Sequence, residues 1–304
     1  MAGRAFILPR SGTGPPVEND SLLSAGSLIL LDPAHSFNPW AAGVPAHNSD
    51  IPNLASEKVA TLLSATAGTQ YPSKFLVGGA INNNTKGKIE RTTKGALHTI
   101  VSQANSLASG DGVAVGIDTS IRTYLAANTG HRYYMSQWDR ITRINAGTLS
   151  STQAAEAMIG SSGISGHLVG MLRAGGASVV VPAASTTTQI PTDKTVSPDY
   201  NTAGERFVAF ATETGTPSTS ATSSTAFAGP MWGAYTGTYN NAALASRNTY
   251  WPSFVFRRFY LEDLTVSGRS FATVSALDQA LWAAAVASDG RYGSDSFTAA
   301  SSVA

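Results

Sequence analysis

The chain contains no cysteine. That removes disulfides, thiol catalysis and zinc–thiolate sites together. Charge is scarce too: Asp, Glu, Lys and Arg make up 13% of the 304 residues, roughly half the usual share. The 20 basic and 19 acidic residues nearly cancel, leaving a net charge of +1. With no basic run, nucleic-acid binding by counterion release is not expected. The longest uninterrupted apolar run is Ala280 to Ala287, far short of the ~20 residues that span a bilayer. Membrane insertion is therefore not expected. Met1 to Arg10 lacks the long apolar segment and small-residue cleavage site of a signal peptide.

What is present is small and polar. The chain holds 46 Ala, 36 Ser, 32 Thr and 29 Gly, so small residues replace charge as surface material. With 42% hydrophobic residues and 10 Tyr, 11 Phe and 5 Trp, the chain can bury a core, which argues against wholesale disorder.

Residues 1–21 read as an extended N-terminal arm. Pro15-Pro16 favours a polyproline-like path, and Phe6, Ile7 and Leu8 form an apolar tip. Either the segment frays or that tip docks on a neighbouring subunit. Residues 22–304 show no internal repeat and no long polar linker, and read as a single domain.

Ser27 to Leu31 is a short strand, followed by a Pro-rich turn in which Phe37 and Trp40 plug the core edge. Asn53 is placed as the N-cap of a first helix, and a second helix is expected from Thr93 to Leu107, with Leu97, Ile100, Val101 and Ala104 on one face. Two or three strands are expected within 112–145, and another at Arg206 to Ala211. Phe254 to Leu261 gives the strongest strand pattern, with its alternation slipping at Arg257-Arg258. A final helix runs from Ala272 to Ser288 and stops at Gly290. The balance predicts a mainly β fold, a sandwich with a few peripheral helices.

The residues for chemistry are dispersed. Asp118, Asp139, Glu205, Glu262 and Asp263 lie in or beside strands. A glycosidase needs two carboxylates across one cleft, whereas Glu262 and Asp263 must point to opposite faces of a strand. His35, His47, His98, His131 and His167 have no metal-ligand spacing, so neither metal nor cofactor is expected. There is no Gly-x-Ser-x-Gly elbow. Gly110-Asp111-Gly112 reads as a tight turn before a strand, not a phosphate loop. Two features favour binding. Tyr133, Tyr134, Trp138, Trp232, Tyr235, Tyr239, Tyr250 and Trp251 serve either as core or as stacking faces for sugars and partners. The Ser/Thr/Asn/Gly loops at 183–205, 212–226 and 236–249 are adaptable hydrogen-bonding surfaces.

Four stretches carry a resemblance. These are Gly26 to His35 continuing to Pro39–Pro45, Tyr133 to Arg143 (YYMSQWDRITR), Phe256 to Ser270 (FRRFYLEDLTVSGRS), and Asp278 to Trp282 with Gly290-Arg291-Tyr292. They are similar to segments of tailed-bacteriophage minor structural proteins, some of which carry a concanavalin A-like, laminin-G-like β-sandwich of jelly-roll type. The resemblance touches about a fifth of the chain and implies a virion component assembled in the host cytoplasm: a tail, baseplate or fibre-associated protein, or a capsid decoration. It implies a homo-oligomer contacting other virion proteins, and a sandwich able to bind host surface glycan. Trp232, Tyr235 and Tyr239 are the candidate glycan-stacking residues, and no catalytic residue is assigned. Lectin-like glucanases of this architecture carry a Glu-x-Asp-x-x-Glu strand that is absent here. The expectation is a non-enzymatic structural protein. The alternative is a polysaccharide-degrading virion enzyme.

Overall fold

The computed structural model describes residues 20–108, 110–128, 130–144, 154–160, 167–174, 177–182, 188–189, 192–197, 202–212, 227–233 and 252–304. The elements in chain order are β1 (Ser27–Leu31), β2 (Asp50–Ile51), α1 (Ser56–Leu62), β3 (Ser73–Gly78), β4 (Gly87–Arg91), β5 (Leu97–Val101), β6 (Gly112–Gly116), α2 (Thr119–Ala127) and β7 (Tyr133–Arg143). Then follow β8 (Ala154–Gly160), β9 (His167–Ala174), β10 (Ala177–Pro182), β11 (Thr188–Gln189), β12 (Lys194–Ser197), β13 (Gly204–Ala211), β14 (Phe227–Gly233), β15 (Ser253–Asp263), α3 (Leu264–Ser267) and α4 (Phe271–Val286). The protein is mainly β, as its sequence predicts. Two antiparallel sheets carry it, one in the order β12-β13-β7-β15-β5-β4 with β1 also on β15, the other in the order β11-β10-β9-β8-β14-β6-β3-β2. No helix among the described residues is long and apolar enough to cross a membrane.

The sheets pack face to face through one apolar layer. The first sheet contributes Phe254, Phe256, Phe259 and Leu261 from β15, with Met135 from β7 and Val208 and Phe210 from β13. The second contributes Phe75, Val113, Val115 and Trp232. Trp232 stacks on Phe254 at 4.5 Å and 21°, and its Nε1–H donates to the Phe254 carbonyl at 3.3 Å. This ring joins the layers.

β15 organises the first sheet, and all eleven of its residues are buried. Its pairing with β7 shifts register between Phe256 and Arg258. The bulge places two successive residues on one face, so Arg257 and Arg258 both point away from the second sheet. The slip read at the double arginine is this bulge. Past it, Tyr260 belongs to an outer cluster with Tyr134, Trp138, Phe207, Phe271, Val274 and Tyr292. The outer face of the first sheet is thus roofed by α4 and the residues after it. α4 is capped by Ser270, whose Oγ accepts from Thr273 N at 3.2 Å. Gly268 ends α3 at φ +69, a left-handed position that favours glycine.

Several expectations need correction. Thr93–Leu107 is not a helix: Leu97–Val101 is a buried strand paired with β4. Its residues are buried on both faces because the sheet is covered on both sides, which removes the period-2 signal. Asn53 does not cap α1, whose N-cap is Ala55. Its amide lies along β1 instead: Oδ1 accepts from Leu30 N at 2.9 Å and Nδ2 donates to the Leu28 carbonyl at 3.0 Å. Asn82 treats β4 likewise, accepting from Ile89 N at 3.0 Å. Both side chains occupy backbone groups that an open sheet edge would offer to another strand. Helix α2, capped by Asp118, sits where only strands were expected. Trp40 plugs the core as expected, but Phe37 is 39% exposed. The final helix begins at Phe271 and ends at Val286.

Candidate functional site

The outer face of the first sheet concentrates the scarce charge. Arg258 lies 4.2 Å from the Trp138 ring centroid. Its Nε donates to Asp32 at 3.0 Å and its Nη2 to Asp20 at 2.6 Å. Arg291 also pairs with Asp32, which accepts in addition from the Tyr292 hydroxyl at 2.9 Å. Asp278, the one acid of α4, accepts from Tyr134 OH at 2.8 Å and Trp138 Nε1 at 2.9 Å. Burial pushes the Asp278 carboxyl up despite these donors. Burial also pushes Asp20 up, but its hydrogen bond with His35 and the charge of Arg258 outweigh it and hold it well below the usual carboxylate range. Asp20 and Asp32 are therefore acceptors that clamp two arginines over an indole.

This clamp borders a cleft of about 330 Å³ between Asp20, His35, Trp138, Arg291 and the C-terminal half of α4. His35 is buried; its Nδ1 accepts from Phe37 N at 3.2 Å, and Nε2 lies 3.3 Å from Asp20 Oδ2. A second cavity of about 40 Å³ touches the other side of Asp20 and His35, room for little more than a water molecule.

A larger groove of about 600 Å³ lies between Arg140–Arg143, Ala203–Gly204 and the segment Phe297–Ser301. Arg140 donates to Glu205 at 3.0 Å and lies 5.4 Å from the Phe297 ring centroid. Glu205 also meets the buried Arg257, with two N···O distances of 2.8 Å. Burial pushes the Glu205 carboxyl up against the pull of Arg257 and Arg140. Arg143 donates to the carbonyls of Val303 and Val101.

Beside this groove a row of side chains crosses the sheet. His98 Nδ1 is 2.9 Å from Glu90 Oε1, and its Nε2 is 2.9 Å from Thr142 Oγ1. Burial raises the Glu90 carboxyl, but hydrogen bonds from Thr298, His98 and Lys88 bring it down to about 2. Burial lowers His98, so the imidazole is neutral beside an ionised carboxylate. That places its proton on Nδ1 and leaves Nε2 to accept from Thr142. Hydroxyl, imidazole and carboxylate stand in the order hydrolases use. Here, however, His98 is fully buried and edge-on to Phe297 at 4.9 Å, and Glu90 also accepts from Thr298 N and Oγ1. The row fastens residues 297–298 to the sheet.

The five acids singled out in the sequence do not converge. Asp118 caps α2. Asp139 is bound bidentately by Arg206 at 2.8 and 2.5 Å, both side chains fully buried. Glu262 pairs with Arg269 on the outer face, whereas Asp263 receives Tyr124 OH at 2.7 Å and lies 2.6 Å from His131 Nδ1. The opposite orientation of the last two is the alternation expected of them. Among the described residues no group of His, Asp or Glu is arranged to hold a metal ion.

Trp232 is 1% exposed and stacked on Phe254, so its ring is not presented to a sugar. This corrects its assignment as a stacking face: the pattern that marks an aromatic strand does not tell which side faces the core. Tyr133, Tyr134 and Trp138 are buried too. Tyr235, Tyr239 and the arm tip Phe6, Ile7 and Leu8 lie outside the described residues. The sequence assigns no site role to Arg140, Arg143, Asp20, Asp32 or Arg291; the pair Arg140/Arg143 in an otherwise charge-poor chain is the available signal. No family model matches the chain, and no curated protein matches it.

Proposed function

We propose that the chain is a non-enzymatic structural subunit of a bacteriophage virion. It sits in the tail, baseplate or fibre, or decorates the capsid, and works as a homo-oligomer among other virion proteins with a host-glycan contact. The observation that carries the reading is α4. Its outward positions Ala272, Ala276, Ala280, Ala283 and Ala284 are exposed, and its one charged residue, Asp278, is turned inward and buried. A helix without charge on its open side suits burial against a neighbour rather than a lifetime in water. The acids support the same reading, because they are engaged in ion pairs, caps and hydrogen bonds that fasten strands and termini. The virion setting rests on the four resembling stretches. The test is light scattering of purified protein across concentration, with mass spectrometry of particles. An oligomer that Ala280→Glu dissociates, together with peptides of the chain in particles, is expected. A monomer at all concentrations that is missing from particles overturns the reading.

A further inference from the structure

We propose that the groove between the ends of β7 and β13 and the segment 297–301 binds a carboxylate-bearing saccharide; this rests on the host-glycan part of the reading above. At about 600 Å³ the groove falls within the range of small-ligand sites. Among the described residues its lining includes two guanidinium groups, Arg140 and Arg143, and no carboxylate. The nearest acid, Glu205, is shared between Arg140 and the buried Arg257. Two arginines thus share one carboxylate while Arg143 binds only backbone carbonyls, and the groove keeps an excess of positive charge. The neighbouring Lys88 and Glu90 pair with each other at 2.9 Å and leave that excess unchanged.

The charge is directional. Arg140 is held from one side by Glu205 and lies over Phe297, while its side chain is 41% exposed. A guanidinium fixed in this way presents N–H groups in a planar fork that matches a carboxylate. Arg143 spends both terminal nitrogens on the Val303 and Val101 carbonyls, so it adds positive charge to this end of the groove and leaves the forked contact to Arg140. Phe297 and Ala299 supply apolar wall for the carbon face of a pyranose ring. Among the described residues nothing crowds the side-chain position of Gly204 within 4 Å, so the groove is open there. Anion, apolar face and hydroxyl partners from Thr142 and Ser301 together describe a uronic acid better than an inorganic anion, which would use only the charge.

The experiment is calorimetric titration of the full chain with galacturonate trimer, maltotriose, a glutamate-rich peptide and inorganic phosphate. The trimer is expected to bind, maltotriose to bind at least about tenfold more weakly, and the trimer's affinity to fall with salt as for a charge-assisted contact. Arg140→Gln is expected to weaken the trimer by about tenfold or more. Ala299→Trp, which fills the groove and keeps its charge, is expected to block it. Both variants should melt cooperatively, which shows that they fold. No trimer binding, equal binding of maltotriose, tighter binding of peptide or phosphate, or indifference to both variants overturns the proposal. Mass spectrometry of particles separates the two readings: protein present in particles yet blind to the trimer sinks only this site. Protein absent from particles sinks the virion reading, whatever the groove binds.

Discussion

β15 presents Phe254, Phe256, Phe259 and Leu261 to the second sheet and Arg257, Arg258, Tyr260 and Glu262 to the helical side. One strand thus supplies two interiors of different kinds. Between the sheets the side chains are mostly interchangeable in chemistry, and stability follows from apolar area removed from water. Beneath α4, Arg258, Asp32, Asp20 and Tyr292 are directional, and each needs a particular partner. The difference teaches where this charge-poor chain spends its charge. Apart from the buried Asp139–Arg206 pair, the charge described above lies under the helical roof and at the strand ends, locking α4 and the C-terminal residues in one register, a task that apolar packing alone performs loosely.

The comparison can be broken from the inner side first. Trp232→Ala removes the ring joining the sheets and is expected to cost about 4–5 kcal/mol, read by urea unfolding. A surface role would leave the midpoint unmoved. Asp139→Ala removes the carboxylate that binds the buried Arg206 guanidinium bidentately and is expected to cost about 3–4 kcal/mol in the same assay. Replacing the pair with Asp139→Leu and Arg206→Met should recover most of that loss. On the outer side, Asp278→Asn keeps an acceptor for one donor only, for about 1–2 kcal/mol in the same assay.

Acid should act mainly on the outer face. His98 is held below its ordinary 6.5, so the unfolded chain takes the proton first and stability falls as pH drops below 6.5. Glu90 moves from 4.5 to about 2 on folding. Its contribution is complete above 4.5 and is lost as pH falls toward 2. Thermal melts of the protein and of His98→Gln across that range check both windows, and the variant should lose only the upper one. The smallest effect is Ser270→Ala, which removes the cap of α4 for about 1 kcal/mol.

How far the sequence foretells this arrangement depends on whether a strand has one wet face. β1 matches its sequence reading, Ser27 to Leu31, to the residue. β15 is legible because aromatic residues alternate until two arginines interrupt them, and the interruption is a bulge. β5 is misread because both faces are covered, so Leu97, Ile100 and Val101 fit a helix as well as a strand. The site is less legible than the fold. Asp20, Asp32, Arg258 and Arg291 come from remote segments, and nothing local marks them as partners. The groove draws Arg140 and Phe297 from opposite sides of β15 in the chain. The aromatic residues were visible as a class, but the side of the sheet each one takes is settled by pairing register.

The position of β15 in the sheet also sets a timetable. It pairs with β1, β5 and β7, yet it leaves the ribosome after all three. Ser27 meets Tyr260 across 233 residues. At roughly 5–20 residues per second, the early strands wait ten seconds or more for the one that joins them. Vectorial synthesis therefore cannot complete the first sheet piece by piece; it closes only once β15 has been made. During that interval the amides of Asn53 and Asn82 are already available to their own short neighbourhoods. They occupy edges that would otherwise be open to the same strands on adjacent nascent chains.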